Sequence, residues 1–423
     1  MRIMFSSTSG DGHLNPMLPL ASVLRDAGHD VAFVMAPEFQ GQISRHGFEH
    51  LVAGIGLTEL NRRTFLPHDI TAELPMELQI FVGRFALGDA PDRVPVLQDL
   101  ISTWHPDVIV SEPCDLAAPI AAAATSRPFV LHSFGRPMPM EYYEAAAPAV
   151  QALWAAAGLD LPGACGVYSG SYIDICPPTL HTDGIPVGPT VHRLRPCSPA
   201  ESNKAPAWLT AMAEDSLVYV TLGTIFNNID RFRPLLEGFA EHDGSVLMTI
   251  GRGNDPDALG LLPSNVRVER FVPQHQVLPH TNVMVAHGGS GSMLAAFSYG
   301  VPQLMLPSGA DQFLNAEVSV RHGLARVLMP HEVTASRVQD LVRELLFDTD
   351  VRQATNSVAD EIASMPSPTQ VARQLLSNVV PSRSLARPTG RPRQVQLVQF
   401  RPFVSDRAAE VRGQIGGRAG SRQ

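Results

Sequence analysis

Two clusters of polar residues in this 423-residue chain have types and spacings that could do chemistry. One is His287-Gly288-Gly289-Ser290-Gly291-Ser292, set between four apolar residues, Val283 to Ala286, and a helix-like run, Met293 to Tyr299, that Gly300 stops. A glycine-rich turn at a helix N-terminus leaves backbone N–H groups unpaired, and the helix dipole adds positive potential there. The loop therefore predicts an anion site. After the next strand, Val301 to Leu306, come Asp311 and Gln312, a carboxylate and an amide at the carboxyl end of a sheet, where open α/β sheets bind ligands. Such an arrangement holds a phosphate with one loop and a polyol with the next. Thr224, in the turn Leu222-Gly223-Thr224, either adds a hydroxyl to the phosphates or caps a helix. The other cluster is the turn Ser7 to His13, with Asp11 inside it and Glu112 at the end of another strand on the same edge. A lone histidine is commonly a satisfied turn residue; at a ligand-facing edge it is also a proton acceptor.

The elements that must position these residues follow an α/β rhythm. Ile3 to Ser6 and Asp30 to Met35 are strands on either side of a helix whose apolar positions are Leu18, Leu20, Ala21, Val23 and Leu24, with Pro16 in its first turn and Gly28 as its stop. Gly10-x-Gly12 is a poor dinucleotide fingerprint, because Asn15 stands at the third glycine position; Glu38, just past the second strand, keeps a hydride-transfer reading open. Residues 53–95 lack a strand–helix rhythm and read as a pocket-lining insertion or a packed excursion. Strands return at Val108 to Val110 and Phe129 to Leu131, around an alanine-rich helix, Leu116 to Ala124. Pro137 to Trp154 predicts an amphipathic helix beside the ligand edge. Five prolines between Pro186 and Pro206 predict a linker. The rhythm restarts with strands Leu217 to Thr221, Val246 to Ile250 and Val266 to Glu269.

Composition narrows the class. The length favours two domains, and 44% hydrophobic with 17% charged residues is globular. A net charge of −9 argues against nucleic acid as a partner. Cys114, Cys165, Cys176 and Cys197 show no CxxC pairing and no histidine at ligand spacing, so reduced thiols are expected rather than a metal site or disulfides. No signal-type segment opens the sequence and no run approaches 18 apolar residues, so a soluble cytoplasmic protein with no membrane partner is expected. The stretch 381–423 carries nine Arg against Asp406 and Glu410, and its composition predicts disorder.

Four motifs together resemble the family 1 glycosyltransferases of GT-B fold, and bacterial natural-product members above all: Gly12-His13-x-x-Pro16, Phe271-Val272-Pro273-Gln274, His287 to Ser292, and Asp311-Gln312-x-x-Asn315-Ala316. The resemblance spans roughly residues 1–380. It implies two doubly wound Rossmann-like domains facing across a cleft. An acceptor-binding domain would take residues 1–197, a nucleotide-sugar-binding domain 198–380, and the basic tail the rest. It implies an inverting, metal-independent transfer of a sugar, in this branch a deoxysugar, from a dTDP- or UDP-sugar to a hydroxyl of a hydrophobic small molecule. No cofactor is expected beyond the nucleotide-sugar co-substrate. By the same resemblance His13 is the base and Glu112 its acidic partner, with Asp11 as a rival. His287, Gly289, Ser290, Gly291 and Ser292 contact the diphosphate with Thr224. Phe271, Val272 and Gln274 lie in the nucleotide motif, where Phe271 either stacks on the base or belongs to the core, and Asp311 and Gln312 bind sugar hydroxyls. Two readings stay open beside transfer: a GT-B nucleotide-sugar epimerase, and a non-catalytic partner of another glycosyltransferase. Whether the chain forms a homodimer also stays open.

Overall fold

The computed structural model describes residues 1–64, 73–181, 189–197, 205–214, 216–224 and 227–379. The arginine-rich tail expected to be disordered lies outside them, as do parts of the proline-rich stretch on either side of the expected domain boundary.

Among the described residues two parallel sheets form. The first has seven strands: β1 (Arg2–Ser6), β2 (Asp30–Met35), β3 (Glu49–Val52), β4 (Val108–Ser111), β5 (Phe129–His132), β6 (Ser171–Asp174) and β7 (Val191–Arg193), in the order β3-β2-β1-β4-β5-β6-β7. The second has six: β8 (Leu217–Thr221), β9 (Ser245–Thr249), β10 (Val266–Glu269), β11 (Val283–Ala286), β12 (Gln303–Met305) and β13 (Ala325–Val327), in the order β10-β9-β8-β11-β12-β13. The central strands are mostly apolar because helices cover both faces; Ile3, Met4 and Phe5 of β1 and every residue of β11 are fully buried.

In both sheets the strand order reverses beside the first strand, between β1 and β4 and between β8 and β11. Loops diverge there and leave a crevice outside the carboxyl ends of the strands. His13 follows β1 and Glu112 follows β4; Thr224 follows β8 and His287 follows β11. All four therefore sit at switch points.

The excursion 53–95 is helical. Leu57–Thr64 and Met76–Phe81 lead into a π-helix, Val82–Asp89, and then the helix Ala90–Trp104. Arg93 anchors it, fully buried, donating to Asp115 Oδ2 (3.2 Å), Ala53 O (2.9 Å), Ser6 Oγ (3.0 Å) and Val34 O (2.8 Å). Asp115 Oδ1 in turn accepts from the amides of Ala117 and Ala118 at the next helix start. Glu38 caps the excursion's first helix by accepting from Leu57 N–H at 2.8 Å, so this carboxylate is occupied and the hydride-transfer reading loses its ribose ligand.

The proline-rich stretch is not linker throughout. Val191–Arg193 is the edge strand β7, paired only with β6, where flanking prolines interrupt no ladder. Near its end the chain returns to the first sheet. Arg195 N donates to Pro366 O at 2.8 Å, and the helix Pro368–Val379 places Val371, Ala372 and Leu375 in one core with Leu14, Met17, Leu18 and Ile173.

Candidate active site

After β1 the chain turns through Ser7 to Gly10 into the short helix Asp11–Leu14, which presents His13 at the carboxyl edge of the sheet. Gly10 has no Cβ, and one there would lie 2.7 Å from His13 Cδ2, so the turn packs directly on the imidazole. His13 Nδ1 lies 3.1 Å from Glu112 Oε1, the histidine side chain 20% exposed and the carboxylate not at all. Glu112 Oε1 also accepts from Thr8 N (3.1 Å) and Thr8 Oγ1 (2.8 Å), and Oε2 accepts from Cys114 N (2.6 Å). Burial alone would raise this carboxyl's pKa. The charge and hydrogen bond of His13, with the bonds from Cys114 and Thr8, outweigh it and hold the pKa below its ordinary value. Glu112 reaches the imidazole directly, and the ion pair of His13 is with Glu112 rather than Asp11. Phe134 at 5.0 Å and Phe85 at 5.9 Å flank the ring.

Cys114 completes a trio with His13 and Glu112 in which three donor atoms capable of binding a metal lie within 4.8 Å of one another. Spacing in the sequence gave no sign of this, since a β-crossover brings the residues together. The trio fits a resident metal poorly. The carboxylate already accepts four hydrogen bonds, and burial pushes the Cys114 thiol pKa well above its ordinary value, opposing the thiolate a metal requires.

On the facing sheet, β11 ends at Ala286, His287 follows, and the helix Ser290–Ser298 starts after Gly289. The imidazole is held between two turns: a Cβ at Gly223 (φ 77°) would lie 2.6 Å from its Cε1, and one at Gly289 would lie 2.5 Å from its Nε2. Burial pushes its pKa down to about 4, with Asp311 opposing and Arg231 adding, so His287 is neutral at pH 7. The backbone of Thr221 also acts on the imidazole, in the sense opposite to burial. Thr224 is exposed in the turn after Gly223, on the same edge.

The anion loop differs from the expectation in one respect. Asp311 Oδ2 accepts from Ser290 N (3.1 Å), Ser290 Oγ (2.6 Å) and Asn315 Nδ2 (2.9 Å), so the carboxylate caps the helix and uses the Ser290 donors. The amides of Gly291 and Ser292 still point out of the first turn, where no intrahelical acceptor exists. The approach to Gly291 is open, since a Cβ there would meet nothing within 4 Å. Gln312 Oε1 accepts from Ser308 N at 2.8 Å, leaving its amide nitrogen as the free end. Gln274 Nε2 donates to Ser292 Oγ at 3.1 Å and so braces the loop.

The FVPQ motif divides. Val272 is core, packed with Val277 and Leu278, so its side chain is unavailable to a ligand. Phe271 is 50% exposed rather than core, with the Arg252 guanidinium 3.8 Å from its ring centre. They line a cavity of about 600 Å³ with Asp255, Asp257, Glu269 and Arg270.

The two edges meet. Gly135, in the loop after β5, packs so closely on Ser290 that a Cβ would overlap its side chain, and Arg136 Nη1 donates to Leu314 O at 2.8 Å. Asp311 acts electrostatically on both Cys114 and Tyr142 across this contact; burial, followed by Glu77, Glu141 and Asp311, raises the Tyr142 phenol to about 12. Thr8, Phe85, Phe134, Gly135, Arg231 and Asn315 were not picked out as site residues from the sequence, although Asn315 stands in a quoted motif. Of the rest, only Thr8 carried a signal, as a hydroxyl in the turn after β1.

Residues 70–223 and 233–377 match, respectively, the N-terminal and C-terminal domains of the erythromycin biosynthesis protein CIII-like family. The L-demethylnoviosyl transferase of Streptomyces niveus is 32% identical over 385 residues, covering 89% of this chain and 97% of that protein. The crystal structure of the glycosyltransferase SnogD from Streptomyces nogalater superposes with a TM-score of 0.74 and 26% identity, over 90% of this chain and 99% of its own. Spinosyn rhamnosyltransferase SpnG complexed with thymidine diphosphate superposes with a TM-score of 0.73 and 25% identity, over 89% of this chain and 100% of its own.

Proposed function

The chain belongs to the family 1 glycosyltransferases of antibiotic pathways and has their GT-B fold, and on that premise we propose that it moves a deoxysugar, with inversion, from a dTDP-sugar or UDP-sugar to a hydroxyl of a small hydrophobic acceptor. The observation that carries the proposal is the His13–Glu112 pair on one switch-point edge, facing the His287 loop on the other through the Gly135–Ser290 contact. The acceptor lies against the first sheet's loops and the donor against the second's.

An alcohol is a poor nucleophile until a base takes its proton as the new bond forms. With Nδ1–H of His13 given to Glu112, Nε2 is the lone pair that accepts that proton. Glu112, ionised and held by Thr8 and Cys114, fixes this tautomer and stabilises the imidazolium that results. The acceptor oxygen attacks the anomeric carbon opposite the diphosphate, and a single displacement inverts that centre. As the glycosidic C–O bond breaks, charge grows on the diphosphate. The amides of Gly291 and Ser292, the neutral His287 and the nearby Arg231 receive it, so no metal is required in this scheme. Arg231 is braced by Leu306 O (3.4 Å) and by Ser308 Oγ. The exposed Phe271 offers a face to the base, and Asp311 Oδ1 with the Gln312 amide nitrogen offers polar ends to sugar hydroxyls. Relatives bearing transferase names support transfer over the epimerase and non-catalytic readings.

The test combines dTDP and UDP calorimetry with turnover measured over pH. Wild type is expected to bind a nucleoside diphosphate. His13→Ala is expected to lose roughly 10²–10⁴-fold in kcat with diphosphate affinity retained. Glu112→Gln, which removes the anion favouring imidazolium, is expected to slow turnover and move its acid limb to lower pH. Wild-type turnover in His13→Ala would overturn the base assignment.

A further inference from the structure

Near the proposed base lies a cationic side chain that, among the described residues, is paired with no carboxylate. Arg84 lies in the π-helix Val82–Asp89 of the excursion, a widened helical form that recurs at functional sites. Its guanidinium carbon is 5.5 Å from the centre of the Phe85 ring, and that ring is 5.9 Å from His13. Its Nε is buried without a hydrogen-bond partner, and among the described residues no carboxylate forms an ion pair with it. Burial lowers its pKa, and Cys114 and Asp89 are the acidic groups that act on it. Neither forms an ion pair with it: burial pushes the Cys114 thiol well above its ordinary value, and Asp89, pushed up to about 6 by burial, has Arg93 acting on it and accepts from Ile55 N. Arg93, from the same excursion, shows the contrast, since its guanidinium is hydrogen-bonded on all three nitrogens.

A half-buried guanidinium held against an aromatic face, with its Nε unpartnered and no carboxylate paired to it among the described residues, is a receptor for an external anion. Its planar fork matches a carboxylate or a delocalised enolate, and the low-dielectric surroundings strengthen the pairing. Aromatic rings also flank His13 and Tyr142: Phe81 lies 5.3 Å from Tyr142, and Phe134 lies 5.0 Å from His13. We propose that Arg84 is an acceptor-recognition residue that selects aromatic acceptors carrying an oxyanion beside the hydroxyl to be glycosylated. The proposal rests on the glycosyltransferase reading and narrows its acceptor class.

The experiment uses the full chain and two probes of similar shape, 3-hydroxy-2-naphthoate and 2-naphthol, titrated by fluorescence at neutral pH. Only the carboxylate of the first is ionised there. Wild type is expected to bind the naphthoate about tenfold more tightly, the scale of one charge-assisted pair. Arg84→Gln is expected to bring the naphthoate down to the level of 2-naphthol, and Arg84→Lys, which keeps the charge without the fork, to fall between. Unchanged dTDP affinity in both variants establishes that they are folded. Equal binding of the two probes by wild type, no naphthoate binding, or a preference that survives in Arg84→Gln overturns the proposal. Absence of both dTDP binding and sugar transfer in wild type is a separate result and sinks the glycosyltransferase reading instead.

Discussion

A histidine serves as a base only when one nitrogen is committed, and here Glu112 commits Nδ1 of His13. His287 and His132 are set differently. Burial pushes each to about 4 from 6.5, so the fold admits only their neutral forms at pH 7. The unfolded chain takes up protons there that the fold refuses. The stability these groups contribute is therefore full above pH 6.5 and is lost as pH falls toward 4, at about 1.4 kcal/mol per pH unit for each group. Glu112 acts in a lower window: its depressed pKa gives stability that is present above its ordinary 4.5 and lost as pH falls through the lowered value. Melting temperature measured from pH 7 to pH 4 is expected to fall, and His132→Phe is expected to flatten that slope; an equal slope in the variant would contradict the assignment. The types and edge of His13, His287 and Asp311 were legible in the sequence, because glycine turns after apolar strands mark ligand edges. Which partner each side chain takes was not. Asp11 and Glu112 were both candidates for His13 until the β1–β4 pairing decided between them, and nothing in the sequence told that Asp311 would spend an oxygen on Ser290.

At the scale of elements, the site depends on how closely a loop of one sheet can approach a helix start of the other. Gly135 permits that approach. Gly135→Ala is expected to push the start of helix Ser290–Ser298 away and cut turnover by at least about tenfold, while far-ultraviolet circular dichroism stays that of the wild type. Undiminished turnover would show that the contact is incidental. The buried strands next to the site were read within a residue or two, since four consecutive apolar residues followed by a glycine turn leave few alternatives. Strands β3, β6, β7 and β13 were missed. They are three or four residues long, mix polar with apolar side chains, and owe their structure to a neighbouring ladder rather than to their own pattern. The excursion was also opaque in its helices, because its apolar residues face both the sheet and the cleft and blur any single period.

For the molecule as a whole, the doubled rhythm and the linker prolines announced two α/β sheets, and two sheets form. What they hid was the return of the final helix to the first sheet. An isolated periodic stretch carries no mark of which core it will join. Leu375, 1% exposed, packs among first-sheet residues, so Leu375→Ala is expected to cost about 2–5 kcal/mol by transfer and cavity terms together. Denaturant unfolding followed by Trp104 and Trp154, both in the first half, is expected to report that loss. A midpoint equal to wild type would detach the helix from that core. The same helix sets a timetable for birth on the ribosome. β7 has been made by Arg193, yet the helix that covers part of its core begins only at Pro368. At roughly 5–20 residues per second, that interval lasts on the order of ten to thirty-five seconds. Through it the nascent first half carries an open apolar seam, which makes it a client for chaperones until the helix Pro368–Val379 has been made.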